Sequence, residues 1–123
     1  MKHSRIIAFL ALAFLLSLEC QAQSPAAGTG IPNSLNLSGT IAVTGTFQSI
    51  RGADNFRQGC EIQNNGSHTM YVYFGVCANA TTAASANLTA GQPIGCSTAA
   101  GYVLKDQVCI TGTAGDTYFA NFQ

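Results

Sequence analysis

From Ser34 to Gln123 the apolar residues come in short alternating runs broken by Gly, Asn and Thr, and no stretch keeps a helical period over a dozen positions. A chain patterned this way builds sheets. Leu35, Leu37, Ile41, Val43 and Phe47 share one parity, interrupted by Gly39 and Gly45, which reads as one or two strands with a bend or bulge. Cys60 and Ile62 alternate before Asn64-Asn65-Gly66, a turn signal, and Met70-Tyr71-Val72-Tyr73-Phe74 is rich in strand formers. Those two runs predict a hairpin. Cys77 to Asn87 reads as a long loop with room for a short helix, and Ala90-Gly91-Gln92-Pro93 as a turn. Tyr102 to Thr113 predicts a strand and Ala114-Gly115-Asp116 a turn. Thr117 to Gln123 closes the chain with Tyr118, Ala120 and Phe122 on one face. The sum is an all-β domain of six or seven short strands, a small antiparallel β-sandwich, with a small barrel as the neighbouring architecture.

The start of the chain is of another kind. Lys2, His3 and Arg5 precede an apolar run from Ile6 to Leu18, and Glu19-Cys20-Gln21-Ala22 supplies small residues at −3 and −1 for cleavage after Ala22. This reads as a signal peptide over 1–22. The apolar run is too short for a membrane span, which needs roughly 20 residues. A lipoprotein anchored through Cys20 is the other reading, but Glu19 stands where a small residue is normal. Residues 23–33, with Pro25, Gly28, Gly30 and Pro32, read as a flexible leader, and 34–123 as the sandwich domain. The expected location is exported, periplasmic or extracellular, with no membrane contact once the signal peptide has gone.

Export changes what the cysteines mean. Cys60, Cys77, Cys96 and Cys109 remain, an even set in an oxidising compartment, and two disulfides follow. Their spacing lacks the paired CxxC signature of a zinc site. Face parity puts Cys60 in phase with Ile62, and Cys96 in phase with Ile94. Cys109 is out of phase with Val108 and Ile110, and Cys77 is in phase with Tyr71 and Tyr73. The expected pairs are Cys60–Cys96 in the core and Cys77–Cys109 on the other face. A core of this size with no Trp gains from such links.

Charge removes several function classes. After residue 22, Arg51, Arg57 and Lys105 face Asp54, Glu61, Asp106 and Asp116. Three scattered cations cannot build the basic stripe that nucleic acid or an anionic membrane requires. The chemistry-bearing residues are as sparse. His68 stands alone after the signal peptide, so a blue-copper set is out of reach. Ser67 and His68 are neighbours whose side chains diverge in a strand or turn, and no carboxylate stands out as the third member of a nucleophilic device. Neither GxSxG nor a phosphate loop is present. Asp54 and Asp116 suit turns, and Asp106 beside Lys105 suits an exposed strand, so no carboxylate pair stands out as an acid and base. No cofactor, metal or catalytic residue is implied.

Tyr71 and Tyr73 share a face opposite Val72 and Phe74. An open face would make them an aromatic platform for a glycan or protein, and a covered one would make them cross-strand packing. Asn36, Asn65, Asn79 and Asn87 head N-glycosylation sequons, a pattern that an Asn- and Thr-rich chain produces by chance. The run from Arg57 to Gly66, then Met70-Tyr71-Val72-Tyr73-Phe74-Gly75, Leu88-Thr89-Ala90-Gly91-Gln92, Val103-Leu104 and Ile110 to Asp116, resembles small β-sandwich accessory proteins of phage or prophage particles, of the decoration or fibre-associated kind. The signal peptide departs from that pattern, because virion proteins assemble in the cytoplasm. The resemblance implies a repeated, non-catalytic structural or surface-binding role. The functional expectation is therefore a non-enzymatic exported module whose partner is a second copy, another surface protein or a glycan. The alternatives are a monomeric ligand-binding or inhibitor domain using the tyrosine face, and a fimbrial-type assembly subunit.

Overall fold

The structure is a computed structural model and describes residues 34–123. The signal peptide and leader read from the sequence lie outside the described residues. Nine short strands run in the order β1 (Leu35–Asn36), β2 (Gly39–Thr40), β3 (Gln48–Arg51), β4 (Cys60–Asn64), β5 (Met70–Phe74), β6 (Ala86–Leu88), β7 (Pro93–Gly95), β8 (Val108–Thr111) and β9 (Thr117–Phe122). They make two antiparallel sheets, β1-β9-β4-β7 with β2 also on β9, and β3-β8-β5-β6. The fold is thus the expected all-β sandwich. With β1 and β2 sharing one edge position, the strand order is that of a jelly roll.

Alternation places the core. Tyr118, Ala120 and Phe122 of β9 and Ile62 of β4 pack across the sandwich from Met70, Val72, Leu88, Val108 and Ile110, with Ile41 closing one end. Sheet membership departs from the sequence-based expectation. β4 and β5 do not form a hairpin: β4 lies between β9 and β7, and β5 lies between β8 and β6 in the opposite sheet. Asn64 is the reason. Its side chain is fully buried, and its Nδ2 donates to the carbonyls of His68 (2.7 Å) and Leu88 (2.9 Å), while its Oδ1 accepts from Gly66 N (2.9 Å). The amide pulls the chain across to the end of β6. A two-residue I′ hairpin would need left-handed backbone at its two central positions, and no residue from Asn64 to Gly66 has a positive φ.

Two further expectations are corrected. The strand predicted over Tyr102 to Thr113 exists only at Val108–Thr111. Before it, the carbonyls of Leu104 to Gln107 are taken by partners outside any ladder, namely Arg57, the N–H of Asp54 and the N–H of Gly75. The odd-parity run from Leu35 to Phe47 forms strands only at β1 and β2. Residues 41–47 are a loop that leaves Val43 exposed, and the next strand is β3, which begins just beyond the run.

Strand direction gives the sandwich two unlike ends. The starts of β4 and β8 and the ends of β3, β5, β7 and β9 meet at one end, together with loops 52–59, 75–85 and 96–107. Both disulfides lie there. Cys60 at the start of β4 joins Cys96 just after β7, with Cα atoms 5.1 Å apart, and Cys77 after β5 joins Cys109 of β8 at 5.6 Å. The other end carries loops 41–47, 65–69, 89–92 and 112–116.

Candidate functional site

Two clusters hold the polar side chains that chemistry could use, one at each end. At the disulfide end, Arg57 is 1% exposed. Its Nη1 donates to the carbonyls of Leu104 (3.0 Å) and Asp106 (2.9 Å), its Nη2 donates to Gly52 O (2.9 Å), and its Cζ sits 5.2 Å from the centre of the Phe122 ring. The fork geometry of guanidinium suits this, since one planar group reaches carbonyls from two separate loops. Burial lowers its pKa, with Asp54 acting in the opposite sense, and an arginine starts high enough to stay charged. Asp54 opens a turn in which its Oδ1 accepts from Phe56 N (3.0 Å) and its Oδ2 pairs with Arg51 (2.8 Å). The Arg51 hydrogen bond, followed by that from Phe56 N, holds its carboxyl below the usual range.

At the opposite end, Asp116 organises the β4–β5 connection. It accepts from the N–H groups of Ser67 (3.4 Å) and His68 (3.3 Å), and its Oδ2 lies 3.0 Å from His68 Nδ1. A carboxylate does therefore meet the Ser67–His68 pair, and sequence reasoning missed it because Asp116 is far away in the chain. The arrangement is not that of a triad. Ser67 Oγ lies 3.3 Å from Nδ1, the same ring nitrogen that faces Asp116, whereas a Ser–His–acid device uses the two nitrogens separately. Gly66 makes the close approach feasible, since a Cβ there would lie 2.5 Å from Cβ and Cγ of Asp116.

The tyrosine pair lies on the outer face of the β3-β8-β5-β6 sheet. Tyr71 is paired with Thr111 and Asn87, and Tyr73 with Cys109. Both are half-buried. The Tyr73 ring meets Phe47 edge to face at 6.4 Å and covers Gly75, whose φ of 149° and whose absent Cβ leave room for it. Glu61 and Asp106 are exposed, and Lys105 is half-buried. Among the described residues no pocket forms, no group of three His, Cys, Asp or Glu could hold a metal ion, and no helix is long and apolar enough to cross a membrane.

No family model and no curated protein matches the chain. A solved structure described as "Bacillus endospore appendages form a novel family of disulfide-linked pili" is similar over 73% of this chain and 80% of that one, at 18% identity and a TM-score of 0.43. That description is of disulfide-linked pili, and the resemblance to phage-particle accessory proteins finds no support in these comparisons.

Proposed function

We propose that this chain is an exported structural module, a part that works by the persistence of its fold and by surface contact rather than by chemistry on a substrate. One observation carries this reading: the four cysteines, Arg57, Asp54 and Asp116 are tied into holding loops. All four cysteines of the domain are in disulfides. Arg57 is engaged by three carbonyls, Asp54 by Arg51 and a turn, and Asp116 by the 66–68 bend. Disulfides of this kind persist in oxidising compartments, which supports a place outside the cytoplasm. The Tyr73 ring is engaged with Phe47 and Gly75, and Tyr71 is half-buried on the same face of the sheet, which supports packing over a ligand platform. The experiment is native fractionation of producing cells without reductant, with the chain followed by an antibody. Recovery outside the cytoplasm in particles heavier than one chain is the expected result. A free monomer retained by a glycan, and released on Tyr71→Ala with Tyr73→Ala, would instead establish the ligand-binding alternative.

A further inference from the structure

Five large apolar side chains are exposed among the described residues, Leu35, Val43, Phe56, Val76 and Tyr102, and all but Val43 lie at the disulfide end. The three most exposed are Phe56 at 90%, Tyr102 at 74% and Val76 at 60%. They belong to loops stitched to one segment. Asp54 N, two residues before Phe56, donates to Lys105 O, and Gly75 N, next to Val76, donates to Gln107 O. Tyr102 ends a tight excursion closed by Thr98 N to Tyr102 O, by a bridge between Ser97 and Val103, and by Leu104 N to Cys96 O. Arg57 clamps the carbonyls of Gly52, Leu104 and Asp106 beneath them, and both disulfides anchor the loops to the strands.

Aromatic side chains displayed on loops normally gain by folding back onto apolar surface. Here they stand on loops fixed by covalent and charged ties, which is the preorganisation a contact surface needs. From this arrangement we infer that the disulfide end, centred on Phe56 and Tyr102, is a self-association surface whose partner is the same end of a second copy. The inference rests on the reading of the chain as an assembling structural module and locates its contact.

Two features select a second copy. The first is charge. Arg51 and Asp54 neutralise each other at 2.8 Å, and Arg57 is buried, which leaves the adjacent pair Lys105 and Asp106, with Glu61 on the neighbouring strand β4. A two-fold axis sets such a pair against itself in reverse, so each lysine meets an aspartate. The second is area. Two exposed aromatics supply on the order of 300 Å² per copy. Val76, Leu35 and the loop backbone bring this toward the roughly 500 Å² per partner that a specific contact requires.

The test compares the exported, oxidised chain with two variants by sedimentation across a dilution series. The variants are F56S/Y102S and, at the opposite end, V43S. All three substituted side chains are exposed, so melting temperatures should stay level, and this is measured alongside. The wild type and V43S are expected to associate alike, with association of F56S/Y102S weakened roughly tenfold or more. Association of F56S/Y102S at wild-type strength would overturn this surface while leaving the assembling reading intact. A wild type that remains a single chain at every concentration would overturn both.

Discussion

Arg57 shows how one residue can hold an end of a domain with no acidic partner in contact. Its three carbonyl acceptors come from two loops, and removing the guanidinium takes the donor from all three part-buried bonds, at about 1–3 kcal/mol for each carbonyl that water cannot reach. Arg57→Ala should therefore lower unfolding free energy by about 3 kcal/mol or more in urea titration. Arg57→Lys should recover only part of this, because an ammonium lacks the planar fork. An alanine variant as stable as wild type would contradict the assignment. Gly66→Ala forces Asp116 away from the 66–68 bend and should cost about 1–3 kcal/mol by the same titration. Asp54 adds a dependence on pH. Its carboxyl is held below its unfolded value, so its contribution is present above about pH 4 and is lost as pH falls through the folded value. Asp54→Asn should be less stable than wild type at neutral pH, with the gap closing in acid. A gap that stays constant down to about pH 2 would show that the carboxylate charge plays no part.

Elements differ in how openly they are written. β9 is plain in the sequence, because Tyr118, Ala120 and Phe122 alternate and all three are buried. β4 and β7 likewise show their inner faces, and Ile62 stands opposite Ile94 with Cys60 and Cys96 joined beside them. The sheet to which β5 belongs is hidden, since a hairpin and an arch between sheets begin with the same turn-forming residues. What separates them is the inward Asn64 side chain, whose acceptors at His68 and Leu88 are visible only in three dimensions. The roles of Arg57 and Asp116 are hidden for the same reason. Carbonyl partners carry no residue code, and a local reading of Ser67-His68 cannot see an aspartate brought in by the β8–β9 turn. The disulfides act at this scale, closing loops with separations of 36 and 32 residues. Chain-entropy arguments assign roughly 3–4 kcal/mol to each. Replacing either pair by Ala should lower stability by about that amount, and reducing both should remove most of the roughly 5–15 kcal/mol typical of a domain. Urea midpoints insensitive to reductant would refute this.

At the scale of the whole molecule, the jelly roll sorts its surface by end. One end carries the polar Asp116 bend, and the other carries both disulfides, the Arg57 clamp and the exposed Phe56 and Tyr102. Both sheets are filled by strands of the chain itself, including the split edge β1 and β2. The edges are short or interrupted: β7 carries Pro93, and the pairing of β3 shifts register between Ser49 and Arg51. Such edges discourage strand addition, which leaves the loop end as the surface best placed for contact. On the function proposed above, the chain is an assembling part rather than a solitary binder or catalyst. The most direct test is the absolute mass of the oxidised wild-type chain by light scattering after size exclusion, over a wide dilution series. A mass that rises with concentration above that of one chain is expected. A single-chain mass at every concentration would contradict that function.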